Sequence, residues 1–265
     1  MTVSVRGARM QRPSSRKTPG LHGRIVVITR PAGTASALAR KVRVLGGVPL
    51  RLPGMGLRAA PDADAVRAGL CAALGDELIV FTSPAAVRHA AALLPLRTTA
   101  CVLAVGQGTA QALRRHGVAA PLAPRRQDSE GLLELSQLQS LRGRRVALIG
   151  APGGRGVLRE QLAARGARLR ELQVYHRVPP RLDRRHAEAL LQLPASARVL
   201  LSSAEALHNL QQLLPAPAWA RLCAATAVVS SERLAEAARA AGFQRIRVAA
   251  SAVSADLLAE AATAG

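Results

Sequence analysis

Aromatic side chains are almost absent from this sequence: one Trp, one Tyr and two Phe in 265 residues. Surfaces that stack nucleic-acid bases are built from clustered aromatics. Phe81, Tyr175, Trp219 and Phe243 are too dispersed to form one, so no nucleic-acid partner is expected. Cysteine is scarce as well. Cys71, Cys101 and Cys223 are odd in number, widely spaced and include no CxxC. Each lies in an apolar run and reads as a small core residue of a cytoplasmic protein in a reducing compartment. The six His form no HExxH and no i, i+4 pair, so no metal site is expected. No apolar run approaches the ~18 residues that suggest a membrane span, and no membrane partner is expected. Acids are few, 16 against 37 Lys and Arg, which leaves a formal net charge of +21.

That charge has more than one explanation. It suits nucleic acid, an anionic membrane or a polyanionic small substrate. An Arg- and Ala-rich, Lys-poor chain is also what a GC-rich genome writes, and a solvated surface without a partner explains much of it. Residues 1–21 are basic, Ser- and Pro-bearing and free of acids, with no apolar stretch for a secretory signal. They read as a disordered basic tail, although an organellar transit segment has a similar composition.

What is abundant is short apolar runs alternating with amphipathic stretches. R-I-V-V-I-T (24–29), V-P-L-R-L (48–52), L-I-V-F (78–81), C-V-L-A-V (101–105), R-V-A-L-I (145–149), R-V-L-L (198–201) and A-V-V (227–229) read as strands. Helical stretches lie between them, for example 34–45, 107–116, 154–165 and 231–241, and several stop at Gly. This alternation predicts an α/β fold of doubly wound parallel sheets. The chain also repeats itself. Residues 23–38 align with 143–158, I-V-F-T-S-P-A-A-V (79–87) with V-L-L-S-S-A-E-A-L (199–207), 104–113 with 228–237, 116–124 with 241–249, and 129–135 with 254–260. A period this long implies two similar domains, with a ligand expected in the cleft between them.

Ligands of open parallel sheets bind beyond the carboxyl ends of the strands. There the sequence places Thr29-Arg30, Thr82-Ser83, Gly106-Gln107-Gly108-Thr109, Ser202-Ser203 and Ser230-Ser231. Ser83, Ser129, Ser203 and Ser254 each stand before a helical run, and each one alone is explained by capping. As a set, helix N-termini with free N–H groups favour carboxylate or phosphate. Arg30, Arg125, Arg126, Arg155, Arg159, Arg177 and Arg233 are available to reinforce them in bidentate pairs, although most of the Arg are expected on solvated faces. The loop G-A-P-G-G-R-G (150–156) lacks the G-K-[ST] of a P-loop, and no acid follows to take a ribose. It reads as a tight turn. GxSxG is absent, and no carboxylate pair sits at the strand ends. An enzyme of this composition works by positioning.

F-T-S-P-A-A-V, V-G-Q-G-T-A-Q-A-L, S-E-G-L-L, the G-G-R-x-x-L-x-x-x-L-x-x-R-G-A run and V-Y-H-R (174–177) occur in one register. Together with the duplication, they resemble the uroporphyrinogen-III synthase family over about residues 23–262. The resemblance implies two α/β domains joined by a two-stranded linker. One is discontinuous, 22–52 plus 178–265, and the other spans 53–177, with V-P-L-R-L-P and V-Y-H-R-V-P-P as the crossing strands. It implies cyclisation of the linear tetrapyrrole hydroxymethylbilane to uroporphyrinogen III, with loss of water and inversion of ring D, without a cofactor and by a monomer. Tyr175 falls on the family's tyrosine and becomes the candidate catalytic donor, or else a residue packing the linker strand. Arg30, Thr82, Ser83, Gly106, Thr109, Ser129, Arg155, Ser202, Ser203 and Ser230 become candidate substrate contacts. The relatives' Gly- or Thr-bearing loop is replaced here by Ser230-Ser231-Glu232-Arg233. A non-catalytic two-domain receptor for an anionic small molecule would use the same features.

Overall fold

The computed structural model describes residues 20–153 and 156–263. Arg155 and residues 1–19 of the expected tail lie outside the described residues. The chain divides into two compact units. The first takes the chain up to Gly54 and again from Leu182, and the second is Met55–Arg181. Leu21, assigned to the tail on composition, is fully buried in the first unit, and its N–H donates to the Leu45 carbonyl at 2.7 Å.

The first unit opens with β1 (Ile25–Ile28), α1 (Ser36–Val44) and β2 (Val48–Arg51). The second contains β3 (Gly56–Ala59), α2 (Ala63–Ala73), β4 (Leu78–Phe81), α3 (Pro84–Leu93), β5 (Cys101–Ala104), α4 (Gln107–Arg115), α5 (Ser129–Leu133), β6 (Arg145–Gly150), α6 (Val157–Ala164), β7 (Arg168–Gln173) and β8 (Tyr175–Val178). The chain then completes the first unit with α7 (Arg184–Leu191), β9 (Arg198–Leu200), α8 (Ala204–Leu213), α9 (Ala216–Cys223), β10 (Thr226–Val229), α10 (Glu232–Ala240), β11 (Arg245–Val248) and α11 (Ser254–Ala262).

Strands β4 and β10 are buried at every position. Such unbroken apolar runs belong to parallel strands covered on both faces. The alternation along β4 is direct evidence: Ile79 and Phe81 join one core cluster, and Leu78 and Val80 join another. In β1, Val27 packs into one cluster while Val26 and Ile28 pack into the opposite one.

The first sheet has the order β11-β10-β9-β1-β2, and the second β5-β4-β6-β7. Under the sequence repeat, β6 corresponds to β1, β7 to β2, β4 to β9 and β5 to β10. The strand orders are then identical, and the register agrees: Ile79 pairs with Ala147 just as Val199 pairs with Val27. The counterpart of β11 in the second unit is reduced to one parallel bridge, Leu103 to Leu122. Pro121 precedes it without an N–H to donate. The two units are thus the same sheet entered at different points, a circular permutation.

Some expectations need correction. V-P-L-R (48–51) is no crossing strand; it is β2, the edge of the first sheet, where Pro49 lacks an N–H at little cost. The two-stranded antiparallel pair is β3 with β8. Ser129 and Ser254 do not precede their helices but are the first helical residues. Asp128 caps α5, accepting from Gly131 N–H at 2.7 Å, and Val253 at the cap of α11 supplies no side-chain bond. Ser231 caps α10, accepting from Leu234 N–H.

Only one of the three cysteines is buried: Cys71 is exposed on α2, Cys101 is half-buried and Cys223 lies in the core. Burial pushes the Cys223 thiol up to about 11, against ~8.5 for a free thiol. Between these two values the folded protein holds a proton that the unfolded chain has released. Stability is therefore fully present below ~8.5 and falls as pH rises towards 11. Denaturant unfolding at stepped pH should show this loss, and Cys223→Ala should lessen it. A thiol reagent at neutral pH should label Cys71 and spare Cys223.

Candidate active site at the switch point of the second sheet

In the second sheet β5 lies on one side of β4 and β6 on the other. The chain therefore winds outward in two directions from the β4–β6 boundary. Helices on opposite faces diverge there and leave a crevice at the carboxyl ends, where open sheets bind ligands. Thr82 and Ser83 follow β4 directly, and Gly150 ends β6.

The two hydroxyls after β4 do different work. Thr82 Oγ1 donates to the Ile149 carbonyl at 3.3 Å and ties the two central strands together. Ser83 is extended (φ −162°, ψ 159°), and its Oγ accepts from Ala86 N–H at 3.0 Å as the N-cap of α3, with Pro84 at the first helical position. The first unit repeats this division. Ser202 Oγ donates to the Thr29 carbonyl at 3.0 Å, and Ser203 Oγ accepts from Ala206 N–H at 3.1 Å. Its crevice is more tightly laced, because buried Thr29 also donates to the Leu200 carbonyl at 2.8 Å and accepts from Ser202 N–H at 3.0 Å.

At the second unit's crevice lies a cavity of about 550 Å³. Thr82, Ser83, Ser129, Arg159, Tyr175 and Arg177 are in its wall, as are Gly150 and Gly153. Tyr175 and Arg177 stand two apart on β8 and so share a face. The Tyr175 hydroxyl lies 3.1 Å from Ser83 Oγ. Arg177 donates to the carbonyls of Pro152 and Gly153, both at 3.0 Å, and closes the turn after β6. Gly153 has φ +70°, so the reading of this loop as a tight turn holds there. A Cβ at Gly150 would overlap Thr82 Oγ1, so that position admits no side chain without moving the strand tie. A second cavity of about 550 Å³ shares Glu171, Leu172, Gln173 and Tyr175 with the first and reaches Asp62 and His176.

The remaining candidates are placed as follows. Gly106 caps α4 without a side chain, and Gln127 Oε1 instead accepts from Gln107 N–H at 3.1 Å. Thr109 is buried inside α4 at 4% exposure and does not line the cavity. In the first unit, half-buried Arg30 donates to Ser254 Oγ at 3.1 Å, and burial lowers its pKa. Ser230 is half-buried, just ahead of the α10 cap.

Sequence reasoning missed His89. It lies on α3, and its ring stacks on Tyr175 with centroids 5.2 Å apart and planes inclined by 13°. Burial, with help from the charges of Arg88 and His176, holds it below the ordinary imidazole value and favours the neutral ring. No local signal marked it: His89 lies six residues beyond Ser83, among the Ala residues of α3.

A family profile described as uroporphyrinogen-III synthase HemD matches residues 36–259. Uroporphyrinogen-III synthase of Salmonella typhimurium is 31% identical over 232 residues, covering 83% of this chain and 92% of the relative. The Escherichia coli enzyme of the same name is 31% identical over 229 residues, with the same coverages. Two solved structures share the fold. One is a mutant uroporphyrinogen III synthase of Thermus thermophilus (TM-score 0.53, 24% identity, 88% of this chain and 96% of that one). The other is the Helicobacter pylori synthetase (TM-score 0.59, 16% identity, 89% and 96%). With the family profile spanning most of the chain and relatives above 30% identity along nearly their whole length, this chain belongs to the uroporphyrinogen-III synthase family.

Proposed function

We propose that this chain cyclises hydroxymethylbilane to uroporphyrinogen III, with Tyr175 as its catalytic donor. The observation that carries the reading is the phenol of Tyr175 in the wall of the switch-point cavity, 3.1 Å from Ser83 Oγ, with Arg159 and Arg177 in the same wall.

The substrate brings most of the reactivity. The hydroxyl of its hydroxymethyl group leaves readily because a pyrrole nitrogen lone pair supports the cation that remains on the carbon. Tyr175 gives a hydrogen bond, and then its proton, to the departing oxygen, so that the hydroxyl leaves as water. The substituted carbon of ring D then attacks the cation to give a spiro intermediate, which rearranges to the inverted ring. In water the unsubstituted carbon attacks and the type I isomer forms. The protein's task is orientation, which is worth several orders of magnitude when reacting groups are held near attack geometry. The acetates and propionates make the substrate a polyanion, matched to Arg and to helix-start amides. Arg30, Thr82, Ser83, Gly106, Ser129, Arg155, Ser202, Ser203 and Ser230 are proposed to contribute to substrate binding, whereas Thr109, buried inside α4, serves the packing of that helix. Thr82 and Ser202 contribute to binding through the strand ends they fix.

The same reading makes the protein a cytoplasmic monomer without a nucleic-acid partner. No helix among the described residues is long and apolar enough to cross a membrane.

The test supplies hydroxymethylbilane and separates the product isomers by chromatography. Type III is expected well above a blank without protein. Type I alone, at the blank's rate, would sink the reading and leave a receptor for the polyanion as its replacement.

A further inference from the structure

Helix α3 holds Tyr175 in two places. At its start, the Ser83 hydroxyl lies 3.1 Å from the phenol oxygen. Further along, the His89 ring covers the phenol face, 5.2 Å away and nearly parallel. Tyr175 itself is 8% exposed. A phenol pinned at ring and hydroxyl has little freedom to swing towards a ligand.

The hydrogen bonding adds a direction. Ser83 Oγ already accepts from Ala86 N–H at 3.0 Å. The Ser83–Tyr175 pair carries two hydroxyl hydrogens, and one is consumed between the two oxygens. The other is left over, and both residues line the cavity. If Ser83 is the donor, its hydrogen bond also stabilises the phenolate that remains once Tyr175 has given up its proton.

We propose that His89 and Ser83 are positioning residues for Tyr175, together fixing the phenol so that one hydroxyl hydrogen of the Ser83–Tyr175 pair is directed into the cavity. The inference rests on the proposed cyclisation. It differs from direct carboxylate binding by Ser83, because positioning acts on the chemical step whereas a carboxylate contact acts on affinity.

Four variants separate the roles. Asp caps helices about as well as Ser, so Ser83→Asp keeps α3 intact. A carboxylate only accepts, however, and draws the phenol hydrogen away from the cavity. Its kcat should fall at least about tenfold, within the range of general-acid effects; KM rises as well, because the new carboxylate faces a polyanion, so the loss of kcat is the readout. Ser83→Thr keeps the hydroxyl and should recover most of the rate. His89→Ala should lower kcat about two- to tenfold, as expected for a lost aromatic pair, and His89→Phe should restore it.

Tyr175 is the only tyrosine, so tyrosine-selective isotope labelling gives a single NMR spin system that needs no activity. His89→Ala should shift its ring resonances and speed ring flipping, and His89→Phe should preserve slow flipping. A rise in KM at constant kcat, or no kinetic change in Ser83→Asp and His89→Ala, would overturn the proposal. So would an unchanged tyrosine signal in His89→Ala. If the wild type makes no type III isomer, the functional reading fails instead, and the tyrosine signal still decides whether His89 positions the phenol.

Discussion

Tyr175→Phe is expected to lower the rate of type III formation by about 100-fold, the lower end of what a positioned general acid contributes. The change removes one oxygen and leaves the ring, so the His89 stack survives. Ser83 still caps α3 through its bond from Ala86 N–H. The fold should therefore be retained, and circular dichroism should be indistinguishable from wild type. Because the phenol acts on the leaving hydroxyl, kcat should carry the loss while KM stays within about twofold. Spontaneous closure continues in solution, so the fraction of type I product should rise as the enzymatic rate falls. An unchanged rate would remove Tyr175 from the mechanism and leave it a packing residue of β8.

The largest expected effect on stability comes from Phe81→Ala. Phe81 is 1% exposed on the central strand β4 and is the bulkiest of the fully buried side chains. Its cluster is otherwise made mostly of Ala, Val and Leu, small groups that cannot collapse far into the space of a lost ring. Phe→Ala changes in such cores cost about 3–5 kcal/mol. The whole stability of a domain is typically only ~5–15 kcal/mol, so the second unit should become marginal at 37 °C. Phe81 immediately precedes Thr82 and Ser83, so activity should fall at temperatures where the second unit still has native secondary structure. Thermal unfolding followed by far-ultraviolet circular dichroism tests the first expectation. A loss below about 1 kcal/mol would mean that the site repacks.

The α/β class, the duplication and most central strands could be read from the chain, because buried parallel strands write themselves as unbroken apolar runs. The edges were harder. In β7, R-L-R-E-L-Q sets three charges around two Leu, and charge on an edge strand discourages stray pairing; with its Leu three apart, the run resembles a solvated helix face as closely as a strand. The hydroxyl pairs were visible, but their roles were not. That Thr82 ties a neighbouring strand while Ser83 caps a helix follows from the register of β4 against β6. No local pattern encodes that register. The misplacement of Ser129 had a simpler cause: Asp128 is an equally good cap one residue earlier, and only the backbone chooses between them. His89 was silent because its partner is remote in sequence. A lone His among Ala and Leu on a helix says nothing until the strand bearing Tyr175 lies beside it.

The antiparallel pair of β3 and β8 has an entropic consequence. Gly56 sits opposite Val178, so the second unit enters and leaves the chain side by side. For the first unit, β2 and β9 belong to one sheet but are joined through everything from Met55 to Arg181. While the second unit is folded, its neighbouring ends make this connection behave like a short loop. Once it melts, the first sheet must close a loop roughly ten times longer, at a cost of about 2 kcal/mol. Connectivity alone therefore makes the stability of one unit depend on the other. Trp219, the only tryptophan, lies in the first unit against Phe243, and its fluorescence should register Phe81→Ala although Phe81 belongs to the second.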